Sequence, residues 1–191
     1  MSGEARLERV ASGLAPVTPG WFVVNTADAA WVANEAWSGG VCIFESDEFV
    51  LQGRPDLTSY EKPHAGFTIR VVPPGRPSGL YHAESVQEDF LILMGECILV
   101  IADEERRLRQ WDFVHCPPMV GHTFIATDDG PCVILATGNR SEHLERICPR
   151  SDAALRHGAS SEVTTTTPAR RGQWEVKRPS GWESLPWAQA G

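Results

Sequence analysis

The chain has 191 residues, enough for one domain with a substantial core, and its 42% hydrophobic and 22% charged residues match an ordinary globular protein. A formal net charge of −8 and a pI near 5.2 argue against nucleic acid or an anionic membrane as the main partner. No apolar run approaches the roughly 20 residues needed to span a bilayer, and the opening "MSGEARLERVASGLAP" carries acids without an apolar signal core. Together these predict a cytoplasmic chain.

Residues 1 to about 20 read as a loose lead-in. "GWFVVN" (20–25) then predicts a strand, and "ADAAWVANEA" (27–36) a short helix or an extended arm. "FESDEFVLQGRPDLTSYEKPHAG" (44–66) mixes charge, Pro and Gly, the pattern of short strands joined by loops. Residues 1–65 are thus expected to form an N-terminal extension whose short strands pack on the main body.

That body is expected over 66–140. "FTIRVV" (67–72), "SGLYHAE" (78–84), "DFLILMG" (89–95), "CILVIAD" (97–103), "DFVHCP" (112–117), "HTFIATD" (122–128) and "CVILATG" (132–138) are short runs of Val, Ile, Leu, Phe and Thr. Turn material such as "PPGRP", "ADEE", "CPP" and "DDGP" separates them. Many short strands with no helical period between them predict an all-β sandwich or barrel.

Residues 141–191 read as a C-terminal extension. "SEHLERICPRS" (141–151) predicts a helical turn or two ending at Pro149, and "RHGASSEVTTTTPARRG" (156–172) an extended linker. The tail then brings Trp174, Trp182 and Trp187, aromatic area that must dock, either on the protein's own barrel or on a second subunit. The arginines at 106, 107, 109, 146, 150, 170 and 171 lie among acids and read as solvated surface. Five cysteines (Cys42, Cys97, Cys116, Cys132 and Cys148) include no C-x-x-C pair and read as small buried hydrophobes.

The stretch "GLYHAESVQEDFLILMGE" (79–96) places His82, Glu84 and Glu88 in front of a run fit for a barrel interior. Unpaired carboxylates are costly to bury, so something must neutralise them. Residues two apart on a strand share a face, so His82 and Glu84 project together, and Glu88 shares its face with Phe90, Ile92 and Met94. His122 follows a Pro-rich turn and enters another strand, where an antiparallel neighbour could bring it to the same place. Two imidazoles with one or two carboxylates in an apolar pocket suit a divalent metal. A hydrogen-bonded His/Glu network without metal is the other reading.

The same residues resemble the two-part signature of the cupins, H-x-(H)-x3–4-E-x6-G followed by G-x5-P-x-G-x2-H. His82, Glu84, Glu88 and Gly95 fall at the first set of intervals, and Trp111, Pro117, Met119 and His122 at the second, within residues 66–138. The resemblance implies a cupin-type double-stranded β-helix, or jelly-roll β-barrel, with short irregular terminal extensions, and a homodimer. "QEDFLILMGE" followed by "WDFVHCPP" is also similar to small bacterial cupin-domain proteins. Departures from the pattern are Glu84 in place of the usual second histidine, Arg76 in place of a glycine of the first part, Trp111 and Met119 in place of the two glycines of the second part, and Ala126 in place of a late asparagine. Neighbouring Gly75, Gly79 and Gly121 are expected to supply the turn freedom.

The resemblance leaves His82, Glu88 and His122 as a two-His, one-carboxylate set, with Glu84 as fourth ligand, as a base beside the ligands or as a solvated rim acid. The expected cofactor is one divalent ion: Zn, Fe, Mn or Ni. Phe90, Ile92, Met94, His115 and Phe124 are the expected pocket, although His115 also suits a satisfied core histidine. Gln87 should face outward, Tyr81 should serve packing, and Cys116 has no evident base partner. Two functions remain open beside a third reading, a metal-containing scaffold whose exposed strands and Trp-rich tail build a homodimer. One is a metal-dependent dioxygenase, isomerase or lyase acting on a small organic molecule, with Glu84 or Glu88 as general base. The other is a non-catalytic module that binds a sugar or metabolite.

Overall fold

The computed structural model describes residues 3–36, 39–42, 44, 65–140, 143–166 and 172–188, so the expectation for 44–66 falls almost wholly outside the described residues. Strands β1 (Leu7–Val10) and β2 (Gly13–Pro16) pair as an antiparallel hairpin. There follow β3 (Trp31–Asn34), β4 (Gly39–Cys42), β5 (Ala65–Val72), β6 (Ala83–Glu84), β7 (Glu88–Met94) and β8 (Glu96–Ile101). The remaining elements among the described residues are β9 (Glu104–Arg109), β10 (Phe113–Cys116), β11 (His122–Ala126), β12 (Cys132–Asn139), β13 (Arg146–Ile147), one short α-helix, α1 (Asp152–Arg156), and a 3-10 turn at Trp182–Ser184.

A six-stranded sheet in the order β10-β7-β12-β5-β4-β3 faces a three-stranded sheet in the order β11-β8-β9. Strand β12 shows how the sequence builds the layers. Cys132 and Ile134 point between the sheets and join Phe90 and Ile92 of β7, Leu99 of β8, Val114 of β10 and Phe124 of β11 in one buried cluster. Val133, one residue out of phase, joins Trp31, Val41, Ile69 and Val71 on the opposite face. This period-2 alternation, apolar on both faces, is what a strand covered on both sides requires. The architecture is all-β, as the strand spacing predicts, and is the jelly-roll barrel that the resemblance implies. Strand β9, the outer strand of the smaller sheet, carries charged Glu or Arg at every position but Leu108, which deters edge-to-edge pairing.

Several local expectations are corrected. "GWFVVN" forms no strand: Trp21 makes a single bridge to Glu4, and Trp21 and Val23 are exposed. Within 27–36, four residues become β3 because Trp31 through Asn34 find β4 as an antiparallel partner. The helix expected at 141–151 lies instead at 152–156. Its start is set by Ser151, whose Oγ accepts the Ala154 N–H at 3.0 Å.

The tryptophan-bearing tail packs on the protein's own body. Trp187 stacks on fully buried Trp31 with ring centroids 5.2 Å apart, Trp182 meets Trp31 edge-on at 5.6 Å, and the Arg178 guanidinium lies 4.4 Å over Trp182. All five cysteines are buried, and none forms a disulfide. No helix among the described residues is long and apolar enough to cross a membrane.

Candidate metal centre

His82 and His122 meet across an isolated antiparallel bridge, with the His82 N–H donating to the His122 carbonyl at 3.1 Å and the His122 N–H to the His82 carbonyl at 2.9 Å. Glu88 opens β7, and Glu84 ends β6 opposite Arg146 of β13. One donor atom from each of His82, Glu88 and His122 lies within 4.8 Å of the others. Glu84 stands outside this trio, its Oε1 3.8 Å from His82 Nε2.

Hydrogen bonding settles which nitrogen each ring offers. His82 Nδ1 lies 2.7 Å from the Leu80 carbonyl and His122 Nδ1 3.1 Å from the Val120 carbonyl. A carbonyl only accepts, so in each ring Nδ1 carries the proton and donates, which leaves a lone pair on Nε2 of the neutral ring. Those lone pairs confront further acceptors: His122 Nε2 lies 3.4 Å from a Glu88 oxygen, and His82 Nε2 faces Glu84.

Opposed acceptors need a shared cation, either a proton or a metal ion. Burial acts against the proton on the rings. It lowers the pKa of His122, and it lowers that of His82 well below the ordinary value, with Arg146 and His122 adding to the effect. Burial raises the pKa of Glu88, and raises that of Glu84 with help from the Glu88 charge. Neutral imidazole nitrogens and a carboxylate oxygen converging at this distance form a donor set that fits one divalent ion.

The trio opens into a cavity of about 290 Å³. Phe90 and Phe124 wall it, their rings tilted at 58° with centroids 4.8 Å apart, and Phe90 lies 5.1 Å from the His122 ring. Ile92 is fully buried in the inter-sheet core and does not line the cavity. Met94 is a correction. The β7–β12 register slips between Val133 and Ile134, which pair with Met94 and Ile92, so β7 carries one extra residue there. Beyond the bulge the parity reverses, and Met94 packs against the Trp31 cluster.

His115 is the second correction. Its side chain is half exposed, and its Nδ1 pairs with Asp89 at 2.7 Å on the outside of the sheet. Gln87 faces outward and donates to Asp89, whereas Tyr81 is buried against Val100 and Ile125. Cys116 is buried in the inter-sheet core, and burial there pushes its thiol up to about 12.

Three arginines also line the cavity: Arg70 of β5, Arg140 just after β12, and Arg146. Arg146 thereby departs from the expectation of a merely solvated residue. Arg70 carries a signal in the sequence, a lone charge inside "FTIRVV", whereas Arg140 and Arg146 sit in polar stretches that hide them.

Residues 68–138 match the family model described as Cupin domain. Among solved structures, the chain is similar to a sugar phosphate isomerase from a cupin superfamily of Silicibacter pomeroyi, at 25% identity over 51% of this chain and 62% of that one, with a TM-score of 0.43. A cupin 2 domain-containing protein from Halorhodospira halophila aligns at 22% identity over 52% of this chain and 68% of that one, TM-score 0.42. The polyketide cyclase RemF from Streptomyces resistomycificus aligns at 15% identity over 65% of this chain and 83% of that one, TM-score 0.50, a likeness of fold. The chain spans less than two thirds of the isomerase chain's length. No curated protein matches the sequence.

Proposed function

We propose that this chain, whose residues 68–138 match the Cupin domain model, is a metal-dependent enzyme that rearranges or cleaves a small organic substrate by proton transfer, an isomerase or lyase working in the barrel cavity. The observation that carries this reading is the confrontation of acceptor atoms, His122 Nε2 with Glu88 at 3.4 Å and His82 Nε2 with Glu84 at 3.8 Å, inside one cavity.

His82, Glu88 and His122 would hold one divalent ion (zinc, iron, manganese or nickel), which supplies Lewis-acid polarisation of a substrate carbonyl or hydroxyl oxygen. The chain's own residues do the rest. The Nδ1–H donations to Leu80 and Val120 fix the orientation of both rings. Phe90 and Phe124 exclude water from one side of the cavity. Glu84 lines the same cavity outside the donor trio, so its carboxylate is placed to accept a substrate proton and return it elsewhere on the molecule. Glu88, committed to the trio, is less suited to that task. The same reading takes the protein to be a cytoplasmic homodimer, which sedimentation and fractionation test directly.

The function is tested by elemental analysis of freshly purified protein, paired with a proton-NMR screen of small hydroxy and keto compounds in deuterated water. One divalent ion per chain, and solvent deuterium entering a substrate only when that ion is present, support the enzyme. An ion with a tightly held ligand that is never turned over would instead mark a non-catalytic binding module. A metal-free protein would end the proposal.

A further inference from the structure

We propose that the cavity selects an anionic substrate, a small carboxylate or phosphate ester, through Arg70, Arg140 and Arg146. This deepens the reading of the cavity as a substrate site and rests on it.

The first ground is charge. Acidic residues outnumber Lys and Arg in the chain by 25 to 17, yet three guanidinium groups from three separate segments converge on this one cavity. Among the described residues, two acids line it, Glu84 and Glu88. A divalent ion on the donor trio would add its positive charge beside the arginines. Guanidinium groups gathered in a partly enclosed site raise the local concentration of anions, which favours an anionic substrate.

The second ground is placement. Arg70 is pinned on the cavity wall, its Nη1 donating to the Ser78 carbonyl at 2.9 Å. Arg140 lies over the bare backbone of Gly66, where a methyl group would come within 2.0 Å of its Cζ. Arg146 lines the cavity 4.0 Å from Glu84, too far for a full hydrogen-bonded pair, and its side chain is 46% exposed. A planar guanidinium matches two oxygens of a carboxylate or phosphate at once, which a lone ammonium does not. At about 290 Å³ the cavity suits a molecule of metabolite size.

The probes are inorganic phosphate, malonate and neutral glycerol, titrated by calorimetry into the full chain before and after dialysis against EDTA. Binding of phosphate or malonate but not glycerol is expected, and the tighter of the two names the anion. Arg140→Gln and Arg146→Gln should each weaken it at least tenfold, whereas Arg106→Gln on the exposed strand β9 should leave it unchanged. Gly66→Ala, which displaces the Arg140 guanidinium without altering net charge, should weaken it severalfold, and thermal melts verify that every variant is folded. Equal binding of glycerol and the anions, or arginine variants within twofold of the parent, would overturn the inference. Because the arginines lie outside the donor trio, anion binding that survives EDTA separates this result from failure of the metal reading.

Discussion

His82 and His122 hold each other by backbone alone, each N–H bonded to the other's carbonyl, while their rings tilt at 46° with centroids 4.9 Å apart. Substituting either ring therefore leaves the bridge intact. His82→Ala and His122→Ala should each abolish binding of the divalent ion yet yield folded protein. The second should cost more stability, because the His122 side chain is 3% exposed, against 16% for His82, and it packs on Phe90. About 1–3 kcal/mol is expected for His122→Ala and under about 1 kcal/mol for His82→Ala, measured by urea unfolding beside metal content. Retention of the full ion content by both variants would refute the site.

Glu84 and Glu88 lie in the same cavity but differ in position: Glu88 belongs to the donor trio and Glu84 does not. Glu88→Gln should lower metal content sharply. Glu84→Gln should keep the ion and lower kcat by roughly 10²–10⁴-fold, the usual contribution of a general acid–base group. Loss of the ion in Glu84→Gln would instead make Glu84 a ligand. Metal content and single-turnover rates on the same preparations decide between these roles.

The four chemistry-bearing residues were legible in the sequence because period-2 geometry relates His82 to Glu84 and the spacing to His122 fits an antiparallel return. Met94 and the arginines were not, for physical reasons. A bulge reverses strand parity through one inserted residue that no hydrophobic pattern announces, and it carries Met94 to the other face. Arg140 and Arg146 reach the cavity because β12 and β13 end beside it, a fact of topology rather than of local composition. Strand β4 is Gly-Gly-Val-Cys, poor in β propensity, and exists because β3 and β5 pair with it on either side.

Trp111 and Met119 adopt left-handed backbone, with φ of 75° and 64°, at the two positions where the resemblance calls for glycine. Of the neighbouring glycines expected to relieve these turns, only Gly75 has positive φ, so the strain stays on Trp111 and Met119 themselves. Left-handed backbone costs an L residue about 1–2 kcal/mol, partly offset on substitution by the greater freedom of glycine in the unfolded chain. Both side chains are largely exposed and contribute little packing. Trp111→Gly and Met119→Gly should therefore each stabilise the protein by roughly 0.5–1 kcal/mol, a rise in Tm of about 1–4 °C. A fall in Tm for either variant would show that its side chain supports the turn.

Asp103 joins the β8–β9 turn to the start of α1: its Oδ1 accepts the Ser151 hydroxyl at 2.6 Å and the Ala153 N–H at 3.2 Å. The Ser151 bond, followed by the Ala153 bond, holds its pKa below the ordinary 3.8. As pH falls, the unfolded chain takes up this proton before the folded one. The stabilisation is thus complete above about pH 4 and disappears as pH drops through the folded value. Asp103→Asn keeps the size and the tolerance of left-handed backbone, needed here at φ of 64°, but removes the charge. Its urea midpoint should lie below that of the parent at pH 7, and the gap should close by about pH 2–3. A gap that stays constant from pH 7 to pH 3 would show that the carboxylate charge does not stabilise the helix start.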